Sequence, residues 1–410
     1  MAAELTNITV EYDCPIRASL KDGRLVTILA AFALVLPQIL TMFVETVLLA
    51  YAQVIMDAPH KPFACARCGN DQQFIWKTQH GKPTKILTIY QWVILRQLQI
   101  QCSVCRHKFY LTRPLLGMEP HERIPKEVYR KLGLVGALAS YRVGAKIVST
   151  FGWTLDKMTI WKAVQKTAKE IVFELDPHEA ARGEADGTGI GIQGIAKRGQ
   201  ELKVFAQYKH SGGIRVAGLG LGTYHGGWKA LFQPSLEAFK QFKQFLLVTD
   251  GDTSILDGLK GQVQVLVQRC LWHIPHQLKF ALWQDRKHVP RKSPEWLHIM
   301  SRIFDICAIR SGIEDEAVIQ ALVARKRERL TALIAYCREH GCRAAATYLE
   351  NAQGDLFTAL THRLEGKTQS RVERLMRTVN LRVNVGKWST AGGLNVVKVR
   401  LAYYYNDFDA

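Results

Sequence analysis

Cys65, Cys68, Cys102 and Cys105 form two C-x2-C pairs with 33 residues between them. Each pair can present two thiolates from one tight turn, and four thiolates suit a tetrahedral Zn²⁺. Gly69 after the first pair and the basic Arg106, His107 and Lys108 after the second suit two zinc knuckles. The strand-like Phe74 to Trp76 and Ile86 to Leu95 suit a ribbon whose insert makes a hairpin. Four protein ligands leave no open position, so the expected zinc is one structural ion, the alternative being redox or buried cysteine pairs. Cys14, Cys307, Cys337 and Cys342 read as core or incidental thiols.

Charge adds a partner class. Of the chain's net +19, residues 58–169 supply +14, with 19 Lys and Arg against 5 Asp and Glu. Such a concentration implies a polyanion such as nucleic acid or an anionic membrane. The first 57 residues are slightly acidic and contain an uncharged run from Leu25 to Val44, about long enough to span a bilayer. Pro37, Gln38, Thr27 and Thr41 within the run, and Glu45 and Gln53 after it, favour buried helices broken at Pro37 in a soluble, cytoplasmic protein. A membrane-anchored chain is the minority reading.

Ser140 to Glu170 reads as two helices joined by a turn around Gly152, which resembles a helix-turn-helix. Val143, Ile147 and Val148 are expected to pack on Ile160 and Val164. Lys157, Thr159, Lys162, Gln165 and Lys166 would face outward, where their chemistry suits phosphates and base edges. A helical hairpin with a solvated lysine face is the competing reading.

From Glu184 the period changes. EADGTGIGIQG, ELKVFAQYKH and IRVAGLGLGTY are short β-rich stretches separated by glycines or basic turns. A helical Ser235 to Gln244, the apolar strand FLLVTDGD, a helix around Ile255 to Leu259 and the strand VQVLVQRC follow. The order β-β-β-α-β-α-β is that of a ribonuclease-H-like core. Asp186 in the first strand and Asp250 at the end of the fourth would share one metal site, with Glu184 and Asp252 as competitors; Asp-Gly is also a common turn dipeptide.

Three further features resemble DDE-type transposases, closest to the Mutator-like enzymes and their bacterial insertion-sequence relatives. Cys270-Leu-Trp-His273, preceded by Gln268 and Arg269, matches a C-x2-H signature after the fifth strand. Ala281 to Leu364 resembles the all-helical insertion of that group. SRVERLMRTVNLR sets Glu373 on a basic helix with Arg371, Arg374, Arg377 and Arg382, similar to the helix that carries the third acid. Relatives often have Asn three residues before that Glu, where this chain has Ser370; the rival Glu365 lacks the Arg-rich context.

The resemblance covers residues 58 to 400 and, with the residues read above, implies a multidomain α/β protein: an N-terminal helical segment (1–57), a zinc ribbon (58–115), a helix-turn-helix region (116–178), the first part of the ribonuclease-H-like core (179–280), the helical insertion (281–365), and the last catalytic helix with a C-terminal tail (366–410). It implies that Asp186, Asp250 and Glu373 hold two catalytic Mg²⁺, with Mn²⁺ able to substitute, for cleavage and strand transfer. Expected partners are double-stranded DNA, as transposon ends and target, and further copies of the chain as a homodimer or higher, with no membrane; a bacterial copy would associate with the nucleoid. Lys157, Thr159, Lys162, Lys166, Arg374 and Arg377 would contact DNA. Cys270 and His273 would pack and hydrogen-bond beside the centre, metal binding or DNA contact being the alternatives. A catalytically inactive, domesticated relative acting as a zinc-dependent DNA-binding protein would have nearly the same sequence.

Overall fold

In the computed structural model the described residues are 24–77, 81–195, 200–261, 263–309, 315–362 and 371–408. Cys14, Glu365 and Ser370 lie outside them. The Leu- and Ala-rich run that opens the described chain folds as one helix, α1 (Leu25–Asp57), which continues through Pro37. This corrects the expectation of two helices. A proline removes one helical hydrogen bond without by itself ending a helix, and the Leu and Ala on either side of Pro37 are strong helix formers. Leu48, Ala52 and Ile55 are buried, with Leu40 and Val44 half-buried beside them. The first turns are not buried: Leu25, Val26, Leu29, Phe32 and Leu34 are exposed. By length and composition alone α1 could cross a membrane, with a mean hydropathy of 2.2 in its most apolar window.

The chain divides into two units, residues 1–167 and 168–409. In the first, α1 is followed by β1 (Phe74–Trp76), β2 (Gly81–Leu87), β3 (Trp92–Gln97), β4 (Gln99–Cys102) and β5 (Lys108–Tyr110). β2 and β3 form an antiparallel hairpin; β1, β4 and β5 form an antiparallel sheet with β4 in the centre. Ile86, Val93 and Leu95 of the hairpin pack with Leu48, and the Glu45 carboxylate accepts the Arg96 backbone N–H at 2.6 Å. The residue that interrupts the apolar run thus ties α1 to β3. Phe63, Phe74 and Phe109 meet with ring centres 5.2 to 6.0 Å apart and close the base of the cysteine module.

A short α2 (Thr112–Leu115) leads to α3 (Lys126–Leu138), α4 (Tyr141–Ser149) and α5 (Lys157–Glu170). The Ser140 hydroxyl caps α4 by accepting the Val143 N–H, and Gly152 turns the chain with φ +85°. Val128, Leu132, Val148, Trp153, Ile160 and Ala163 form the core of this group. Val148, Ile160 and Val164 are buried as expected, but Val143 and Ile147 are 48% and 42% exposed and lie off the packed face.

The second unit is mixed α/β. Its sheet contains β6 (Arg182–Gly189), β7 (Glu201–Tyr208), β8 (Ile214–Gly222), β9 (Leu246–Thr249) and β10 (Leu266–Arg269) in the order β10-β9-β6-β7-β8. β6, β7 and β8 are antiparallel neighbours, whereas β9 runs parallel to both β6 and β10. Every residue of β9 is buried, as its continuous apolar run requires. α6 (Trp228–Phe232), α7 (Leu236–Phe239) and α8 (Thr253–Asp257) contribute Trp228, Phe232, Phe239 and Ile255 to a core around Phe205.

A helical layer follows: α9 (His273–Gln284), α10 (Pro294–Cys307), α11 (Glu316–Glu339), α12 (Arg343–Ala352) and α13 (Thr358–Thr361). It has its own core, including Leu278, Ile303, Leu333, Leu349 and Phe357. Cys307, Cys337 and Cys342 are buried there, and burial pushes their thiols up to about 12, 12 and 11. Two buried residues at the end of β10 fasten this layer to the sheet. The Gln268 amide donates to the Leu356 carbonyl and accepts from the Ala359 N–H, while Arg269 grips Asp355 at 2.9 and 3.0 Å. The chain ends in α14 (Val372–Val383) and α15 (Thr390–Tyr405). The expected tail is therefore largely helical, and α15 packs against β8.

Candidate functional site

The two C-x2-C pairs converge. Cys65 Sγ lies 3.5 Å from Cys105 Sγ and Cys68 Sγ lies 3.6 Å from Cys102 Sγ, with all four within 4.8 Å of one another. A tetrahedral ion bound at ~2.3 Å requires sulfur separations of about 3.8 Å, so the set could hold zinc. Both turns have the same form. The Gly69 N–H bonds to the Cys65 carbonyl and the Arg106 N–H to the Cys102 carbonyl, with Gly69 at φ +72° and Arg106 at φ +61°. Burial raises the Cys102 thiol, but the backbone N–H groups of Cys105 and Val104 and the Asn70 amide outweigh it and bring the thiol down to about 6. The Asn70 N–H favours the Cys68 thiolate, whereas burial and the three neighbouring thiols oppose it and hold it up near 12. Four sulfurs so close cannot all ionise without a cation between them.

In the second unit, Asp186, His273 and Glu373 have ligating atoms within 4.8 Å of one another. Asp186 comes from β6 and His273 from the first residue of α9. Glu373 comes from the first turn of α14, where helix N–H groups favour an acid. His273 Nε2 is 2.7 Å from Glu373 Oε1. Asp250 immediately follows β9, the parallel neighbour of β6, and stands outside that close set. Its carboxylate accepts the Gln277 amide at 3.2 Å and the Asp252 N–H at 2.9 Å. Burial, followed by the charges of Asp250 and Glu373, pushes Asp186 up to about 7, although the His273 charge opposes this. Burial pulls His273 down, but hydrogen bonds to Cys270 and Glu373, with the charges of Cys270 and Asp186, raise it to about 10. Cys270 is buried beside the site.

The two competing acids have other partners. Asp252 caps α8, accepting from Ser254 N–H at 2.9 Å and Ser254 Oγ at 2.8 Å. Glu184 is fully buried; its carboxylate accepts the Tyr208 hydroxyl and the backbone N–H groups of Arg371 and Val372, each of the latter at 2.7 Å. Glu184 thereby pins the start of α14 to β6 and fixes the turn that carries Glu373. Gly251, at φ +100°, lets Arg269 lie against the backbone beside Asp250, where a Cβ would come 2.0 Å from the guanidinium.

The residues expected to meet DNA are distributed unevenly. Lys157 and Lys162 are exposed on α5, while Thr159 is half-buried. Lys166, though exposed, is paired with Glu122 and lies 4.3 Å from the Tyr129 ring centre, so its charge is already partnered. Arg374 and Arg377 are exposed on α14. Arg382, counted with them in the sequence, is buried with its guanidinium 4.6 Å from the Trp388 ring centre, because its position falls on the packed face. Sequence reasoning missed the roles of Gln277 and Glu184. Gln277 could have been found four residues beyond His273, one helical turn along the same face. No local signal marks Glu184 as a cap for a helix so distant in sequence. A search of family models and one of curated proteins found no match to this chain.

Proposed function

We propose that this chain is a DDE-type DNA transposase resembling the Mutator-like enzymes and bacterial insertion-sequence transposases, and that its second unit is a ribonuclease-H-like nuclease core. The observation that carries this reading is the convergence of Asp186 and Glu373 in one cluster, with Asp250 at the end of the adjoining parallel strand. The strand order, with an antiparallel trio beside two parallel strands, Asp186 within β6 and Asp250 directly after β9, supports it.

The donor set fits a divalent cation. Burial first, and then the charges of Asp250 and Glu373, raise the proton affinity of Asp186, and a bound cation would offset both the lost solvation and the repulsion. Asp186, Asp250 and Glu373 would hold the catalytic Mg²⁺ or Mn²⁺. When bound, such ions activate water or a 3′-hydroxyl and stabilise the leaving oxygen of an in-line phosphoryl exchange. The chain's own part is positioning. Glu184 fixes the helix that carries Glu373, Gln277 orients the Asp250 carboxylate, and His273 holds Glu373 in the cluster. Arg374 and Arg377 face solvent on the same helix as Glu373 and suit DNA phosphates.

In the first unit, one structural Zn²⁺ on Cys65, Cys68, Cys102 and Cys105 would brace a DNA-binding module, with α4 and α5 acting as a helix-turn-helix. The test is incubation of the purified full chain with its flanking genomic DNA and Mg²⁺, followed by sequencing of the cleaved ends. Cleavage at element ends that Asp186→Asn, Asp250→Asn and Glu373→Gln each reduce by orders of magnitude supports the assignment. Binding without cleavage by the wild type would instead identify an inactive DNA-binding relative.

A further inference from the structure

α9 carries more than its two contacts with the acid cluster. Ile274, Leu278, Ala281 and Leu282 are buried on one side, and His273 and Gln277 reach Glu373 and Asp250. At ~100° per residue, Trp272, His276, Lys279, Phe280 and Trp283 fall within an arc of about 100° next to the His273 and Gln277 edge. Trp272, Phe280 and Trp283 are 41%, 71% and 63% exposed. Their polar neighbours stack on them: the His276 ring lies 3.9 Å from Trp272 at 22°, and the Arg286 guanidinium lies 4.2 Å from the Trp283 ring centre. The charge carried by this segment is mainly positive. From Trp272 to Ser293 the sequence holds five Lys and Arg against one acid, Asp285, whose buried carboxylate accepts the N–H groups of Ala344 and Ala345.

Three large exposed aromatic rings about 16 Å from end to end, set among cations and bordering a carboxylate cluster, have the chemistry of a surface that stacks bases and neutralises phosphates. A paired duplex offers side chains no free base faces to stack on, whereas an unpaired strand does. We propose that the exposed face of α9 binds single-stranded DNA, stacking unpaired bases on Trp272, Phe280 and Trp283 and leading that strand to Asp186, Asp250 and Glu373. The ligand class deepens the nuclease reading above and rests on it for the direction of the strand. The stacking surface itself does not require that cleavage occur.

The test uses the full chain with its zinc retained and no Mg²⁺ or Mn²⁺ added. Fluorescence anisotropy would measure binding of a 12-nucleotide oligo(dT), the same oligomer with abasic residues, and a hairpin duplex. Oligo(dT) should bind the wild type about tenfold more tightly than its abasic counterpart and quench indole fluorescence. Phe280→Ala/Trp283→Ala should lose about tenfold in oligo(dT) affinity while changing duplex affinity less than twofold, and Trp283→Phe should restore part of the loss. Both aromatic residues are exposed, so an unchanged melting temperature should accompany the loss. Equal affinity for oligo(dT) and the abasic strand overturns the proposal. So does a double variant that binds oligo(dT) normally, or one that changes only the sedimentation of the chain, which would make the face a contact between copies. If the wild type cleaves no DNA yet shows the stacking pattern, the nuclease reading fails and this one stands; cleavage without the stacking pattern keeps the nuclease reading and overturns this one.

Discussion

Glu184 on β6 accepts the backbone N–H of Val372 at 2.7 Å, joining the strand that bears Asp186 to the first turn of the helix that bears Glu373. Each partner lies within two residues of the acid it positions. A buried carboxylate at a helix N-terminus satisfies N–H groups that the helix itself leaves open and lies in the favourable field of the helix dipole. Glu184→Ala should therefore lower stability by about 1–3 kcal/mol, since it strands two buried donors and the Tyr208 hydroxyl. Glu184→Gln should keep more of the fold than Glu184→Ala. Both should weaken Mn²⁺ binding to the second unit, measured by titration calorimetry; unchanged Mn²⁺ affinity in a folded Glu184 variant would leave the residue a purely structural cap.

The thiol cluster predicts about one zinc per full chain. Cys65→Ser or Cys102→Ser should abolish stoichiometric zinc and expose residues 60–110 to proteolysis, because metal binding there is coupled to folding. Elemental analysis of protein purified with and without zinc supplementation checks this. Absence of zinc in both preparations would refute the assignment.

Pairing of Lys166 with Glu122 alters what a lysine scan should show. Lys157→Ala and Lys162→Ala should each weaken duplex binding and reduce its salt dependence by about 0.9 per lost phosphate contact. Lys166→Ala should change binding less, because that ammonium already has an acid and a ring as partners. Affinity measured across a salt titration separates the three variants, and a Lys166 effect equal to the others would show that the Glu122 pair opens on DNA.

Stability without divalent ions should depend on pH in a particular direction. Asp186 binds its proton up to about pH 7 in the native chain, against an ordinary value of 3.8. Between these values Asp186 is protonated in the native state and ionised in the unfolded one, so its contribution to stability falls as pH rises from about 4 to 7. His273, raised to about 10 from 6.5, acts in the same sense at higher pH: its contribution is full below 6.5 and is lost as pH rises through 10. Asp186→Asn should flatten the lower window, a difference on the order of 1–3 kcal/mol in urea unfolding between about pH 5 and about pH 7.5 in zinc-replete buffer without Mg²⁺ or Mn²⁺. Equal slopes in the wild type and Asp186→Asn would show that Asp186 does not hold its proton in the native chain.

Much of this protein is determined by local sequence. The four-cysteine spacing, the strands from Glu184 to Cys270 and the capped helix at Ser140 each depend on contacts within a few residues or on strict periodicity, and each has its counterpart in the fold, whereas the helix expected over Ser235 to Gln244 is displaced to Trp228–Phe232 and the short Leu236–Phe239. Other features required the whole chain. Proline chemistry argues for a break at Pro37, yet α1 is continuous there, set in a run of strong helix formers whose far end packs through Leu48, Ala52 and Ile55. Val143 and Ile147 were indistinguishable from Val148 by hydrophobicity, and only the packing of α4 with its neighbouring helices decided which of them is buried. Equally, Glu184 and Asp186 are two acids on one strand. What separates a cap from a candidate ligand is the distant Val372 N–H, which reaches one of them and leaves the other facing His273 and Glu373.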